Sequence, residues 1–125
     1  MDADRLAAFG AAWREKDLDR LMSFMTDDCV FGASVGAEHG TVFRGRDEVR
    51  RGFELMLAYD AGARSNPGTT FLAGDRGVST WSYTYPDAAE VHGCDIYEFD
   101  GDRIRVKDAY RKVSGDITRP FPQGA

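Results

Sequence analysis

Apolar residues along the chain keep a helical spacing in its first half and an alternating one in its second. Between Ala3 and Lys16, Leu6, Phe9 and Trp13 recur three and four residues apart, with Arg5, Arg14 and Glu15 on the opposite side. That spacing predicts an amphipathic helix whose stripe faces a core, with Asp2 or Asp4 capping its amino end. Asp17 offers a second cap, and Leu18, Leu21, Met22 and Met25 continue the helical period until Thr26, Asp27 and Asp28 break it. Cys29, Val30 and Phe31 read as extended. Glycines 32, 36 and 40 then punctuate a loop carrying His39, before a short apolar stretch at Val42 and Phe43 closed by Gly45. From Asp47, the positions Val49, Phe53, Met56, Leu57 and Asp60 predict a third helix ending near Gly62.

Beyond that point the period becomes two. Thr69–Ala73, Val78–Tyr85, Val91–Phe99 and Ile104–Lys112 are separated by turn chemistry at Gly74 to Gly77, at Pro86 to Ala89, and at Asp100 and Gly101. They predict consecutive antiparallel hairpins. Helices first and a meander afterwards give an α+β domain, with three helices packed on one face of a curved, mainly antiparallel sheet. Residues 1–112 are expected to form one domain and 113–125 a draped tail without usable periodicity.

Composition narrows the functional classes. The 125 residues carry 16 Lys plus Arg against 21 Asp plus Glu, for a formal charge of −5. With no long basic run, nucleic-acid binding is disfavoured. No apolar stretch approaches the roughly 20 residues that cross a bilayer, and the first residues are acidic and polar, so the expectation is a cytoplasmic protein without a membrane partner. Cys29 and Cys94 lack the spacing of a zinc or redox site and read as reduced thiols. No set of His, Cys, Asp and Glu has metal-ligand spacing, and no glycine loop resembles a phosphate cradle, so neither metal, nucleotide nor other cofactor is expected.

The informative chemistry lies in the last two long strands. Alternation places Val91, Gly93, Asp95, Tyr97 and Phe99 on one face, and Ile104, Val106, Asp108 and Tyr110 on one face of the next strand. Two turn geometries are open. A two-residue Asp100-Gly101 turn sets Asp95 opposite Val106, and a four-residue loop sets it opposite Asp108. Either keeps both acids on one side. A carboxylate among apolar groups loses hydration, and two such groups together resist ionising at once, so one becomes a proton donor and the other a base. The alternative is structural: an inward acid binds backbone donors or pairs with a basic residue such as Lys107 or Arg111.

Other residues carry paired readings. His39 either adds acid or base capacity at a pocket mouth or faces solvent. His92 falls on the face opposite Asp95, suited to a surface or interface. The stripe Trp81, Tyr83 and Tyr85 turns toward Asp95 if the loop at Pro86 to Ala89 is odd in length, and otherwise toward a partner. Phe9 and Trp13 share a stripe with Leu6 and belong inside. The run Arg103, Arg105, Lys107 and Arg111 reads as a solvated strand face or as dimer ion pairs.

The order and spacing of several segments resemble the NTF2-like superfamily, in particular SnoaL-like polyketide cyclases and ketosteroid isomerases. They are Lys16-Asp17-Leu18-Asp19-Arg20-Leu21, Met25-Thr26-Asp27-Asp28-Cys29-Val30-Phe31, Phe43-Arg44-Gly45-Arg46-Asp47-Glu48-Val49, Asp95-Ile96-Tyr97-Glu98-Phe99-Asp100-Gly101-Asp102-Arg103-Ile104 and Lys107-Asp108-Ala109-Tyr110. The resemblance implies a cone, a bent sheet wrapped around helices and open at one end to a small, mostly apolar ligand. It implies that Asp95 matches the strand aspartic acid that donates a hydrogen bond to a developing enolate oxygen. Asp108 resembles the water-activating aspartate of the superfamily's epoxide hydrolases. The isomerase's proton-shuttling aspartate falls on Ala33 and its oxyanion-hole tyrosine on Phe9, so neither subfamily's set is complete.

The resulting expectation is cofactor-independent acid/base chemistry on an apolar, carbonyl-bearing substrate, with Asp95, Asp108 and His39 as catalytic candidates. Phe9, Trp13, Phe31, Phe53, Trp81, Tyr83, Tyr97 and Tyr110 are the pocket candidates, the ligand is small and apolar or aromatic, and a homodimer forms through the sheet face. The alternative is a non-catalytic module that binds a hydrophobic ligand or supports dimerisation.

Overall fold

A computed structural model describes residues 1–37 and 39–122. Helix α1 spans Ala3–Arg14 and is capped by Asp2, whose side chain accepts from the Arg5 amide. Asp17 caps α2, Leu18–Ser23, through the Arg20 amide. The second helix stops two residues short of Met25, which instead opens strand β1, Met25–Gly32. Strand β2, Val42–Arg44, leads into α3, Arg46–Tyr59, which ends before the expected Gly62. The junction requires glycine: Gly45 sits at a φ of 81°, a region other residues avoid. Arg46 ties the start of α3 to the end of α2, donating to the Met25 and Met22 carbonyls at 2.8 and 3.0 Å.

Four strands follow, β3 (Arg64–Ala73), β4 (Arg76–Thr84), β5 (Glu90–Asp100) and β6 (Arg103–Arg111). The sheet order is β2-β1-β6-β5-β4-β3, with only β1 and β6 parallel. The three helices lie against one face of this sheet, so the architecture is the expected one. Leu6, Phe9 and Ala12 of α1 and Val49, Phe53 and Met56 of α3 are buried, as their spacing predicts. Their rings meet edge to face: Phe9 and Phe53 at 6.3 Å, Phe31 and Phe53 at 4.8 Å, Trp13 and Phe53 at 5.3 Å.

Register decides which side chains reach this core. The β4–β5 connection spans residues 85–89, since Thr84 pairs with Glu90. That odd length sets Trp81 opposite Gly93 and Tyr83 opposite Val91, so the aromatic stripe shares Asp95's face. The β5–β6 turn lies one residue later than Asp100-Gly101: Asp100 pairs with Arg103, and Phe99 with Ile104. Glu98 then pairs with Val106, so Arg105 is an extra residue on β6, a β-bulge. Beyond it every β6 side chain has changed face. Asp95 stands opposite Ala109, and Asp108 opposite Ile96 on the outer face. The shared inward face expected for the two aspartates is thus corrected by one bulged residue.

Residues 112–122 carry no helix or strand, and Val113, Ile117 and Phe121 on them are exposed. Positions 123–125 of the expected tail lie outside the described residues. Among the described residues no helix is long and apolar enough to cross a membrane.

Candidate active site

Between α1 and strands β3 to β6 lies a cavity of about 190 Å³. Phe9, Trp13, Trp81 and Tyr97 supply its apolar wall, and Asp95 and Lys107 its charged floor. Lys107 is the residue that the bulge turns inward. Its Nζ donates to Asp95 Oδ1 at 3.0 Å, and both side chains are nearly sealed from solvent, 6% and 8% exposed. Tyr97 donates its hydroxyl to Asp95 Oδ2 at 3.2 Å. The ammonium also lies 4.5 Å from the Trp13 ring centre and 5.0 Å from that of Phe31, where the negative ring faces favour a cation. Where the resemblance implies a lone acid, the structure has a carboxylate and an ammonium held side by side.

The remaining sequence candidates divide. Phe9 and Trp13 line the cavity as expected, as do Trp81 and Tyr97. Gly93 makes room for Trp81, because a Cβ there would stand 2.4 Å from the indole. Phe31 and Phe53 are fully buried and form the packing beneath the cavity rather than its wall. Tyr83 lines a neighbouring cavity. Three candidates are placed elsewhere. Asp108 lies on the outer face, where Tyr110 donates to its Oδ2 at 3.1 Å, and Tyr110 itself is 53% exposed. His39 is exposed and lines none of the cavities. His92 is on the outer face, as expected. Among the described residues no three His, Cys, Asp or Glu side chains converge as a metal set.

The model of the SnoaL-like domain matches residues 6–107. The chain belongs to the SnoaL-like domain family. Solved structures agree on the fold. An NTF2-like protein of unknown function from Mesorhizobium loti is 26% identical, with 89% of this chain and 90% of that one covered at a TM-score of 0.76. A cystatin-fold protein from Novosphingobium aromaticivorans is 21% identical over 86% and 96%, with a TM-score of 0.69. A protein of ketosteroid isomerase-like fold from Catenulispora acidiphila, solved in complex with trimethylamine, is 17% identical over 88% and 86%, with a TM-score of 0.70. No curated protein matches the chain.

A second buried ion pair closes one end of this SnoaL-like domain. Asp60, just past α3, takes a two-pronged contact from Arg111 at the end of β6, at 2.6 Å and 3.2 Å. Tyr85 donates to the same carboxylate, and Arg111 Nε donates to Ser34 Oγ at 3.2 Å. The guanidinium lies over the rings of Tyr59, Trp81 and Tyr83. Tyr83 in turn accepts from Trp13 Nε1 at 2.9 Å, which links this pair to the cavity wall.

Sequence reasoning left Asp60 among the apolar positions of the third helix and gave it no role. The signal was present, because an acid at a helix carboxyl end opposes the helix dipole and demands a specific partner. The sequence reads Lys107 as a pairing partner for an inward acid or as part of a solvated or dimer-facing basic run, and gives it no catalytic role.

Burial, reinforced by the Asp60 and Asp95 charges, pushes the Tyr83 hydroxyl up to about 12, against the opposing hydrogen bond from Trp13. Burial first, then the Asp95 carboxylate, raises Tyr97 well above its ordinary value. A raised folded-state value means that the stabilisation is whole below about pH 10, where free tyrosine ionises, and is lost as pH climbs through the folded value. Of the five tyrosines, Tyr83 and Tyr97 are therefore expected to resist ionisation until the chain opens. In an alkaline titration, their tyrosinate absorbance should rise together with the loss of near-ultraviolet circular dichroism.

Proposed function

We propose that this SnoaL-like domain performs cofactor-independent acid/base chemistry, enolising an apolar carbonyl compound as the entry to isomerisation, cyclisation or dehydration. The observation that carries this reading is the Asp95–Lys107 pair, held at 3.0 Å on the floor of an aromatic-walled cavity. A carbonyl oxygen against the Lys107 ammonium gains a donor that strengthens as negative charge develops there. The Asp95 carboxylate takes the proton from the adjacent carbon, the electron pair of that C–H bond forms a carbon–carbon double bond, and the carbonyl π pair moves onto the oxygen. Returning the proton to another carbon completes an isomerisation. Attack of the enolate on a second electrophilic carbon completes a cyclisation.

Exchange of acidic C–H protons for deuterium tests the reading on aryl ketones, such as acetophenone and 1-tetralone, followed by proton NMR. Exchange above the buffer rate is expected. Buffer-rate exchange across the panel would leave the cone as a ligand-binding module.

A further inference from the structure

The rim of the Asp95–Lys107 cavity carries more positive charge than the chain's composition would suggest. Within a chain of net charge −5, eight salt bridges among the described residues pair many of the arginines and lysines with carboxylates. Arg14, Lys16 and Arg64 take part in none of these bridges. All three line one cavity of about 320 Å³, together with Trp13, Ser65 and Tyr83. Trp13, Arg14 and Ser65 also line the catalytic cavity, so the two hollows meet across these residues. The carboxylate within this second hollow, Asp60, is committed to Arg111 and Tyr85.

Two of the cations are steered toward the rim. Arg14 folds back along α1, with its guanidinium 3.4 Å from where a Cβ on Gly10 would stand, and Gly10 lines the catalytic cavity. Arg64 donates through Nε to Asn66 Oδ1 at 3.1 Å, and Asn66 is fixed by its own donations to Ser82 Oγ and Thr84 Oγ1. This leaves both terminal nitrogens of Arg64 without a partner among the described residues. A guanidinium oriented through one nitrogen and open at its other two suits a planar, two-oxygen anion.

Resting on the enolisation reading and naming its substrate class, we propose that the ligand is an aromatic keto acid. Its ring lies between Trp13 and Trp81, its ketone reaches Lys107, and its carboxylate is held at the rim by Arg14 and Arg64, with Lys16 adding to the field. An electrostatic contact at a partly exposed rim also predicts capture that weakens with salt.

The two tryptophans of the chain, Trp13 and Trp81, both line the catalytic cavity, so intrinsic fluorescence reports its occupancy. The probes are 3-benzoylpropanoate and its methyl ester, which share the aryl ketone and differ in charge. The expected result is quenching by both, with the carboxylate bound about tenfold more tightly than the ester at low salt. Raising the salt should erode that preference and leave the ester unchanged. Arg14→Gln and Arg64→Gln should each lower carboxylate affinity toward that of the ester. Equal affinity of the two probes in the unaltered protein, or a preference that survives both substitutions, overturns the anion clamp and leaves the enolisation reading standing. Absence of quenching by either probe overturns the clamp, and proton exchange on the neutral ketones then judges the enolisation reading separately.

Discussion

Asp95→Asn is expected to slow proton exchange on the ketone probes by about 10²–10⁴, the contribution of a positioned general base. The amide keeps the volume of the carboxylate and retains an oxygen to accept from Lys107, but it has no basic lone pair for a proton from carbon. The substitution also leaves the Lys107 ammonium without its counter-charge at a site only 6% exposed, so some stability is lost. The two effects are separated by the alkaline tyrosine titration: a folded variant still shields Tyr83, whose raised pKa rests mainly on burial. A variant that keeps this shielding and loses exchange establishes Asp95 as the base. Unchanged exchange removes Asp95 from the reaction, and the ion pair is then a structural feature of the cone.

Asp60→Ala is expected to cost about 3–5 kcal/mol of folding stability, the usual penalty for removing one partner of a buried ion pair. Arg111 would keep Ser34 and the ring faces of Tyr59, Trp81 and Tyr83, but would lose both of its contacts to a carboxylate. The double variant Asp60→Leu, Arg111→Met replaces the buried charges by apolar volume and should recover most of the loss. Urea denaturation of the two variants measures both. If the single substitution costs no more than a surface change, the pair contributes little and another contact closes this end of the cone.

Most of the architecture is legible in the chain because it is written in period. Leu6, Phe9 and Trp13 mark one helix, Val49, Phe53 and Met56 another, and both stripes are inside or against the core. Strand positions follow from alternation, and Gly101 takes the positive φ that its turn needs. The site was legible only in part. Asp95 was found because an acid on an apolar strand face is conspicuous. Lys107 was not assigned a catalytic role, because the displacement that brings it inward comes from a bulge at Arg105, where the local sequence alternates basic and apolar residues without interruption. The same unseen displacement carried Asp108 and Tyr110 to the wrong side of the sheet in the sequence reading. The direction of the Trp81 stripe depends on whether the loop that follows it is odd or even in length, which composition does not encode.

The extra residue at Arg105 also bears on how such a cone changes its chemistry over generations. Loss of that one codon would leave an uninterrupted ladder in which Glu98 still meets Val106 and Asp95 still meets Ala109, so Lys107 would keep its inward place. Asp108 would reach the floor only if Arg105 were instead drawn into the ladder opposite Glu98, which moves every later pair by one residue. In this hairpin the bulge absorbs a change of length near the turn, so the charged pair inside the hollow outlasts the loss of a residue beside it.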